Sequence, residues 1–364
     1  MSHTVAKLLS ALLLLSTAAP ALAEPAGEVE DLRRRLEKLE ARHEEPAGFT
    51  LASGKRSLTI SGALEIEANY TDIADRKAES DVSVATALVN FDAAVSDRVK
   101  GRIALLHEDG EDQDISIDEA YVELNRPKTA GGTLKVTAGR AYLPFGVFAS
   151  EMVSDPLTLE LGETNRNLLL TAWENGKVAV QLGAYNGDYD TTGHDVIDNG
   201  FAALTVTPAE QISFGVSYLC DLAESNADLL AGTDPTLYEK NVSAASANLT
   251  LKFAPVTITC EYLGALKEFS EALVADPGKT SDLTGRKPRT WFAELTLAPN
   301  EGWAIIGRYE KAKDFADDVA RYGATVSYGL DANTVLSVEY LYSDFAREMG
   351  DTAQQITVQL AMEF

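Results

Sequence analysis

A-Q-Q-I-T-V-Q-L-A-M-E-F, residues Ala353–Phe364, is the stretch on which the fold turns. Ile356, Val358, Leu360, Met362 and Phe364 share one side of a two-residue period, and Thr357, Gln359, Ala361 and Glu363 share the other. A strand so divided stands between an apolar phase and water. A soluble sandwich strand carries the same alternation, so position decides: the sequence ends on an aromatic residue, with no tail to cover the apolar row. A last strand that closes a barrel inside a bilayer has this form, because closure removes an unpaired edge that lipid cannot satisfy.

Bulk composition bounds the class without choosing it. A chain of 364 residues with 45% apolar and 8% aromatic residues fits two soluble domains or one large barrel. A formal charge of −25 argues against a nucleic-acid partner, which would call for a basic footprint. Two cysteines, Cys220 and Cys260, are too few for a disulfide framework. Both fall on the apolar parity of strands that another strand separates, so no bond between them is expected. Beyond the first 23 residues no run approaches the roughly 18 apolar residues of a membrane helix. Any crossing of a bilayer is therefore by strands.

Residues 1–23 combine Lys7, the apolar run Leu8–Leu15 and Ala21-Leu22-Ala23, the pattern of a cleavable export signal. Residues 24–46 contain E-V-E-D-L-R-R-R-L-E-K-L-E, in which Val29, Leu32, Leu36 and Leu39 recur at steps of three and four. That is the seam of a short periplasmic coiled-coil helix. Two or three heptads do not hold an isolated helix together, so the seam predicts oligomerisation of a body already oligomeric, with a homotrimer favoured. The alternative is an amphipathic helix lying on the periplasmic surface. Pro46 ends the helix, and 47–56 reads as a linker.

From 57 to 364 the period of two recurs in sixteen segments, the first at 57–72 and the last at 353–364. The expected fold is all-β: a 16-stranded antiparallel transmembrane β-barrel, porin-like, whose even count returns the chain to its side of entry. Tight turns such as Glu174-Asn175-Gly176 and Thr207-Pro208-Ala209-Glu210 alternate with long polar connections such as Asp221–Lys240 and Ala265–Lys287. Tyr70, Tyr121, Tyr185, Tyr218, Tyr262, Trp291, Trp303, Tyr309, Tyr322 and Tyr342 stand near strand ends, where interfacial aromatic girdles belong.

One connection departs from the rest. Residues 141–166, A-Y-L-P-F-G-V-F-A-S-E-M-V-S-D-P-L-T-L-E-L-G-E-T-N-R, are too long for a hairpin and too apolar for water. As the third external loop they are expected to fold into the barrel, burying Phe145, Phe148, Met152 and Leu159 and narrowing a lumen that would otherwise be wide. The alternative is a loop that clamps a neighbouring subunit. Arg140, Tyr142, Glu151, Glu160, Glu163 and Arg166 are the candidates for facing the constriction.

Two motifs in this loop, G-R-A-Y-L-P-F-G (Gly139–Gly146) and S-D-P-L-T-L-E-L-G-E-T (Ser154–Thr164), resemble the outer-membrane siderophore porins of the LbtU type. The first also resembles phosphate-selective porins, so the second discriminates better. The export signal, coil and strand layout are similar to that family over nearly the whole chain. The resemblance implies a Gram-negative outer membrane, lipid and lipopolysaccharide as surroundings, and passage of iron–siderophore complexes without an energised plug. In keeping with this, no globular plug precedes the first strand. The terminal Phe364 resembles the signature by which bacterial outer-membrane barrels engage their assembly machinery, and is the candidate for barrel closure.

Inward parity places Lys100, Arg102 and Lys135 beside Glu119 and Glu123. They form either a ladder steering an anionic solute or a set of cross-strand ion pairs. Elsewhere the lumen reads as acidic, with Glu65, Glu67, Glu261, Glu294, Glu310 and Glu339 against Lys252 and Arg308, which disfavours a phosphate-specific channel. The external loops His107–Asp114 and Asn186–Asp198 are acidic too, and read either as solvated charge, the favoured account, or as carboxylates that divalent ions bridge to each other or to lipopolysaccharide; His194 and Asp195 do not make a metal motif by themselves, and no cofactor is indicated. After Ala23 the histidines are His43, His107 and His194, none with the neighbours of a catalytic base, so an enzyme is not expected. The functions left are a passive porin for iron–siderophore complexes, a general or anion porin, and a structural or adhesive barrel.

Overall fold

A computed structural model of the protein describes residues 48–109, 115–189, 196–230, 238, 240–270, 283–300, 302–346 and 352–364. The expected export signal and the expected seam Val29, Leu32, Leu36 and Leu39 lie outside the described residues. The strands are β1 (Phe49–Ser53), β2 (Arg56–Ile73), β3 (Glu79–Ser96), β4 (Val99–Glu108), β5 (Ser116–Thr129), β6 (Gly132–Tyr142), β7 (Asn165–Glu174), β8 (Val178–Tyr185) and β9 (Asn199–Ala209). They continue with β10 (Ile212–Leu219), β11 (Ala244–Phe253), β12 (Val256–Ala265), β13 (Arg289–Asn300), β14 (Trp303–Lys313), β15 (Ala320–Gly329), β16 (Thr334–Asp344) and β17 (Thr352–Glu363). One helix, α1 (Leu157–Gly162), sits in the long connection between β6 and β7.

From β2 onward each strand pairs antiparallel with the next, and β17 pairs with β2 from Ala353↔Ile73 to Glu363↔Ala63. The sixteen expected strands thus form one closed barrel. The expectation for 47–56 changes: this stretch carries β1, paired with β2 from Phe49↔Ile60 to Ser53↔Arg56. The reason lies in the seam. β17 leaves β2 at Ala63, so the first residues of β2 would present unpaired N–H and C=O groups, and β1 covers them. Gly54, at φ +61°, makes the turn between the two strands.

Phe364 completes the closure. Its N–H donates to Gly62 O at 3.0 Å, and Gly62 N–H donates to Phe364 O at 2.8 Å. A Cβ on Gly62 would stand 2.6 Å from the Phe364 ring and 2.3 Å from Leu88 O, so only glycine leaves room there for the ring.

The registers divide the wall as the alternation predicts. Ile356, Val358, Leu360 and Met362 are exposed on the outside, beside outward Tyr70 and Ile66 of β2. Thr357, Glu339, Thr325, Arg308, Glu294 and Glu261 point inward and are buried. Buried charge on the inside of a barrel this large means that chain lies against this part of the wall. An apolar cluster does so: Leu143, Phe145 and Leu161 from the β6–β7 connection join Leu222, Leu230, Tyr238 and Phe269 from the connections after β10 and β12. Two residues read as girdle aromatics belong to this filling instead. Tyr185 is buried in the cluster and Tyr121 packs against it, because both fall on the inward parity of their strands.

Candidate functional site: a loop laid across the lumen

The segment 143–164 leaves β6, crosses the lumen and is fastened to strands on the opposite side. Its apolar side chains drive the docking. Phe145 is 1% exposed and Met152 is buried against Ile306 and Leu341, while Phe148 is half-buried. Leu159 was expected to be buried and is not fully so; Leu157 and Leu161, both 0% exposed, take that role. The difference comes from α1. One helical turn puts residues four apart on the same face, so Leu157 and Leu161 meet the wall together and Leu159 turns aside.

A chain crossing a lumen in irregular conformation leaves backbone N–H groups without a ladder, and these need acceptors. Inward glutamates supply them. Glu261 of β12 accepts from Val147 N and Phe148 N at 2.7 and 2.9 Å and from the Thr158 hydroxyl at 3.2 Å. Glu294 of β13 accepts from Ser150 Oγ at 2.7 Å and Glu151 N at 2.8 Å. Glu339 of β16 accepts from Val153 N at 2.8 Å and Ser154 N at 3.2 Å, and Glu310 of β14 accepts from Leu157 N at 2.7 Å. These four carboxylates read from sequence as free lumen charge; the structure assigns each to the loop.

Arg308 of β14 pins the same segment from the cationic side. Its guanidinium donates to Ser150 Oγ, Ser154 O and Ser154 Oγ, each at 2.8 Å, and lies 3.4 Å from Glu310 and 3.9 Å from Glu294. Planar forked donors suit several oxygens at once, which a lysine at this position would not match. Arg321 of β15 adds an ion pair to Glu160 at 2.6 Å.

The residues singled out for the constriction divide. Glu151 is exposed, and Glu160 is held by Arg321. Glu163 accepts from Asn226 Nδ2 at 3.1 Å, and burial pushes its carboxyl above the usual range. Arg166 faces inward and pairs with Glu224 at 3.3 Å and Asp188 at 3.1 Å. Arg140 does not face the constriction. It belongs to β6, where pairing with Ala120 puts it on the outward row, and its Nε donates to Asp118 O at 3.3 Å. Tyr142, the last residue of β6, donates its hydroxyl to Asp118 Oδ1 at 2.7 Å.

On the wall before the loop, Arg102 pairs with Asp92 at 2.8 Å and Glu119 at 3.3 Å, and Lys135 pairs with Glu174 at 2.8 Å. Cross-strand pairing therefore accounts for these two cations. Glu123 accepts from Asn125 Nδ2 at 2.7 Å, and Lys100 is exposed with no ion pair within 4.0 Å among the described residues. Among the described residues no group of three His, Cys, Asp or Glu is placed to hold a metal.

A second segment, after β10, packs beside the first. Asp221 caps the short 3-10 turn Leu222–Glu224, and its Oδ1 accepts from Ala223 N and Val242 N, each at 3.1 Å, and from the Tyr238 hydroxyl. All three donors meet one oxygen, and Oδ2 is buried without a partner. Burial pushes this carboxyl up to about 6, against the pull of its hydrogen bonds. Glu224 beside it accepts from Asp188 N and Tyr189 N at 2.8 and 2.9 Å.

No family profile matches the chain. Curated relatives are UPF0422 proteins: one of Coxiella burnetii, 24% identical over 226 residues that make up 58% of this chain and 48% of the relative. Another, of Legionella pneumophila, is 24% identical over 327 residues, 78% of this chain and 58% of the relative. The chain thus spans about half the length of the curated relatives it matches. Solved structures with the same fold include the outer-membrane channel DcaP of Acinetobacter baumannii, at TM-score 0.61 and 16% identity over 87% of this chain and 100% of that one. OmpF of Salmonella typhi gives TM-score 0.62 at 12% identity over 87% and 100%. An anion-selective porin from Comamonas acidovorans gives TM-score 0.58 at 12% identity over 85% and 100%. The chain has the fold of outer-membrane porins, a 16-stranded antiparallel transmembrane barrel.

Proposed function

We propose that the protein is an outer-membrane porin through which solutes, iron–siderophore complexes among them, diffuse passively past an aperture set by residues 143–164. One observation carries the reading: the segment that narrows the lumen is fixed to the far wall by glutamates 261, 294, 310 and 339. A fastened constriction sets a size limit while leaving the path open, and no energised displacement of it is called for. The siderophore assignment rests on the resemblance of Gly139–Gly146 and Ser154–Thr164 to siderophore porins. A phosphate-type channel is less favoured. Arg102, Lys135, Arg166, Arg308 and Arg321 are all ion-paired, and paired cations offer an anion little net field.

Two measurements test this. Purified protein in planar bilayers should give a steady conductance; a silent barrel would point to an adhesive or structural role. A deletion strain should lose iron–siderophore uptake, and restored uptake should persist when proton motive force is collapsed. Unchanged uptake with a fall in small-anion permeation would replace the siderophore assignment with the anion one.

A further inference from the structure

Docking leaves one side of the lumen uncovered. The segment 143–164 is fastened to β12–β16, and among the described residues no hydrogen bond or ion pair joins it to β2, β3 or β4. The solute path therefore runs between the free edge of the segment and the inner face of those three strands. Register sets what lines the strand side. Thr86 of β3 pairs with Glu65 of β2 and with Glu108 of β4, so the two carboxylates stand in one inward row with a hydroxyl between them. Two residues along, Leu88 pairs with Ala63 and with Leu106, which makes an apolar row on a face that is ordinarily polar in a barrel of this kind. The free edge of the segment carries the same two chemistries. Glu151 and Asp155 are exposed there, and Val147 is 53% exposed where Phe145 and Met152 on the same segment are buried.

The two sides lie within electrostatic reach of each other. Asp155 opens on the lumen while the barrel encloses it; that enclosure and then Glu160 push its carboxyl above the usual range, Arg308 opposes, and Glu108 and Glu65 push the same way from across the gap. The charges that act on Glu108 are Asp118 and Glu65, both acidic. Little cationic charge is left to offset this set. Arg308 and Arg321 are held on the docked side, Arg102 is paired with Asp92 and Glu119, and Lys100 stands at the other end of β4, four inward positions from Glu108. Glutamates 261, 294, 310 and 339 take no part, because the loop uses them; the field comes from acids that docking leaves free. Charge of one sign between low-dielectric walls concentrates its counter-ions, and an apolar ledge beside it draws hydrocarbon out of water. We propose that this gap favours solutes that join net positive charge to an apolar body, cationic chelates and alkylammonium compounds among them, over anions. The inference rests on the porin reading above and adds to it the class of solute.

Planar-bilayer recordings test this on the purified parent and on two variants, Glu65→Gln/Glu108→Gln/Asp155→Asn and Leu88→Ser/Leu106→Ser, with folding checked by heat-modifiable electrophoretic mobility. Across a KCl gradient near about 0.01 M, where charges act over about 30 Å, the parent's reversal potential should give potassium a permeability at least about tenfold that of chloride, the low end of what a one-signed cleft does to its counter-ions. In about 1 M salt, where screening is complete within about 3 Å, the ratio should approach one. The triple variant should lose most of the preference in dilute salt. Tetraalkylammonium ions then probe the ledge. Their block of the potassium current should strengthen from methyl to butyl, and Leu88→Ser/Leu106→Ser should weaken block by the butyl ion at least about fourfold, equivalent to about 0.8 kcal/mol or one buried CH2, with block by the methyl ion unmoved. An unselective or chloride-preferring parent overturns the proposal and leaves the channel standing, whereas a silent parent removes the channel and the proposal together. A folded triple variant that keeps the parent's preference, or block indifferent to chain length, also overturns it. The sign of the preference and the chain-length dependence are read on the parent, so they decide the matter even where a variant fails to fold.

Discussion

Removing two of the four loop anchors should turn a steady constriction into a fluctuating one. In the double variant Glu261→Ala/Glu339→Ala, the N–H groups of Val147, Phe148, Val153 and Ser154 lose acceptors now at 2.7, 2.9, 2.8 and 3.2 Å. Hydrogen bonds to a charged group contribute about 1.5–3 kcal/mol each. Water in the lumen takes over part of that, so the low end applies and the loop loses about 6 kcal/mol of docking. The anchors at Glu294 and Glu310 and the Arg308 guanidinium remain, and α1 keeps Leu157 buried. The segment stays in the barrel, with 146–149 and 153–154 released. Single-channel recordings should show a higher mean conductance and greater open-channel noise, and limited proteolysis should cut within 146–154. Glu→Gln at both positions should fall between, because one of the two oxygens becomes a donor facing an N–H. If the folded double variant matches the parent in conductance, noise and protease resistance, the loop is not held by these carboxylates and the fixed-aperture argument fails.

Other consequences can be checked separately. Asp221, raised to about 6 by burial, binds its proton more tightly in the folded protein than an unfolded carboxyl near 3.9 does. Its contribution is therefore greatest below about pH 4, is lost as pH rises to about 6 and is constant above that; amide exchange at Ala223 and Val242 should follow that course after correction for intrinsic rates. Asp221→Asn should abolish the dependence and slow exchange at neutral pH, and a slope that persists in the variant would rule this out. Gly62→Val would force its side chain into the Phe364 ring and Leu88 O, so the fraction reaching the heat-modifiable folded form should drop sharply; normal assembly would sink the closure argument. Leu161→Ala opens a cavity under α1 and should weaken its docking by about 2–5 kcal/mol, seen as faster exchange across 157–163 with the barrel strands unaffected.

The wall was legible in the sequence because a period of two is a local property. Every residue of β17 declares its face without reference to any other strand, and the sixteen segments of the barrel follow by repetition. β1 was missed for the same reason. Phe49-Thr50-Leu51-Ala52-Ser53 is five residues long and pairs only because β17 stops short along β2, a fact about the far end of the chain. Arg140 is misplaced when attached to the loop that follows; continuing the parity of Lys135 in steps of two through Thr137, Gly139 and Ala141 sets it outside. Tyr121 and Tyr185 show the opposite limit. An aromatic near a strand end matches an outer girdle and a lumen-side cluster equally well until parity is applied.

The lumen glutamates mark where parity itself runs out. Period two assigned Glu261, Glu294, Glu310 and Glu339 to the inside, and from that assignment an acidic pore follows if the inside is water. It is water only where no chain crosses. Once 143–164 lies against β12 to β16, the same carboxylates become acceptors for the N–H groups of a segment that has no strand partner, and their charge is spent on Arg308 and backbone dipoles. The two facts are one design: a loop with Pro144 and Pro156 cannot join a ladder, so the wall facing it must carry acceptors, and anionic acceptors at four points need a cation among them. A sequence that places inward glutamates on neighbouring strands, inward arginines among them and a long apolar connection elsewhere is therefore describing a docked loop. Counting its acids as pore charge would predict a cation field that the folded protein has already used.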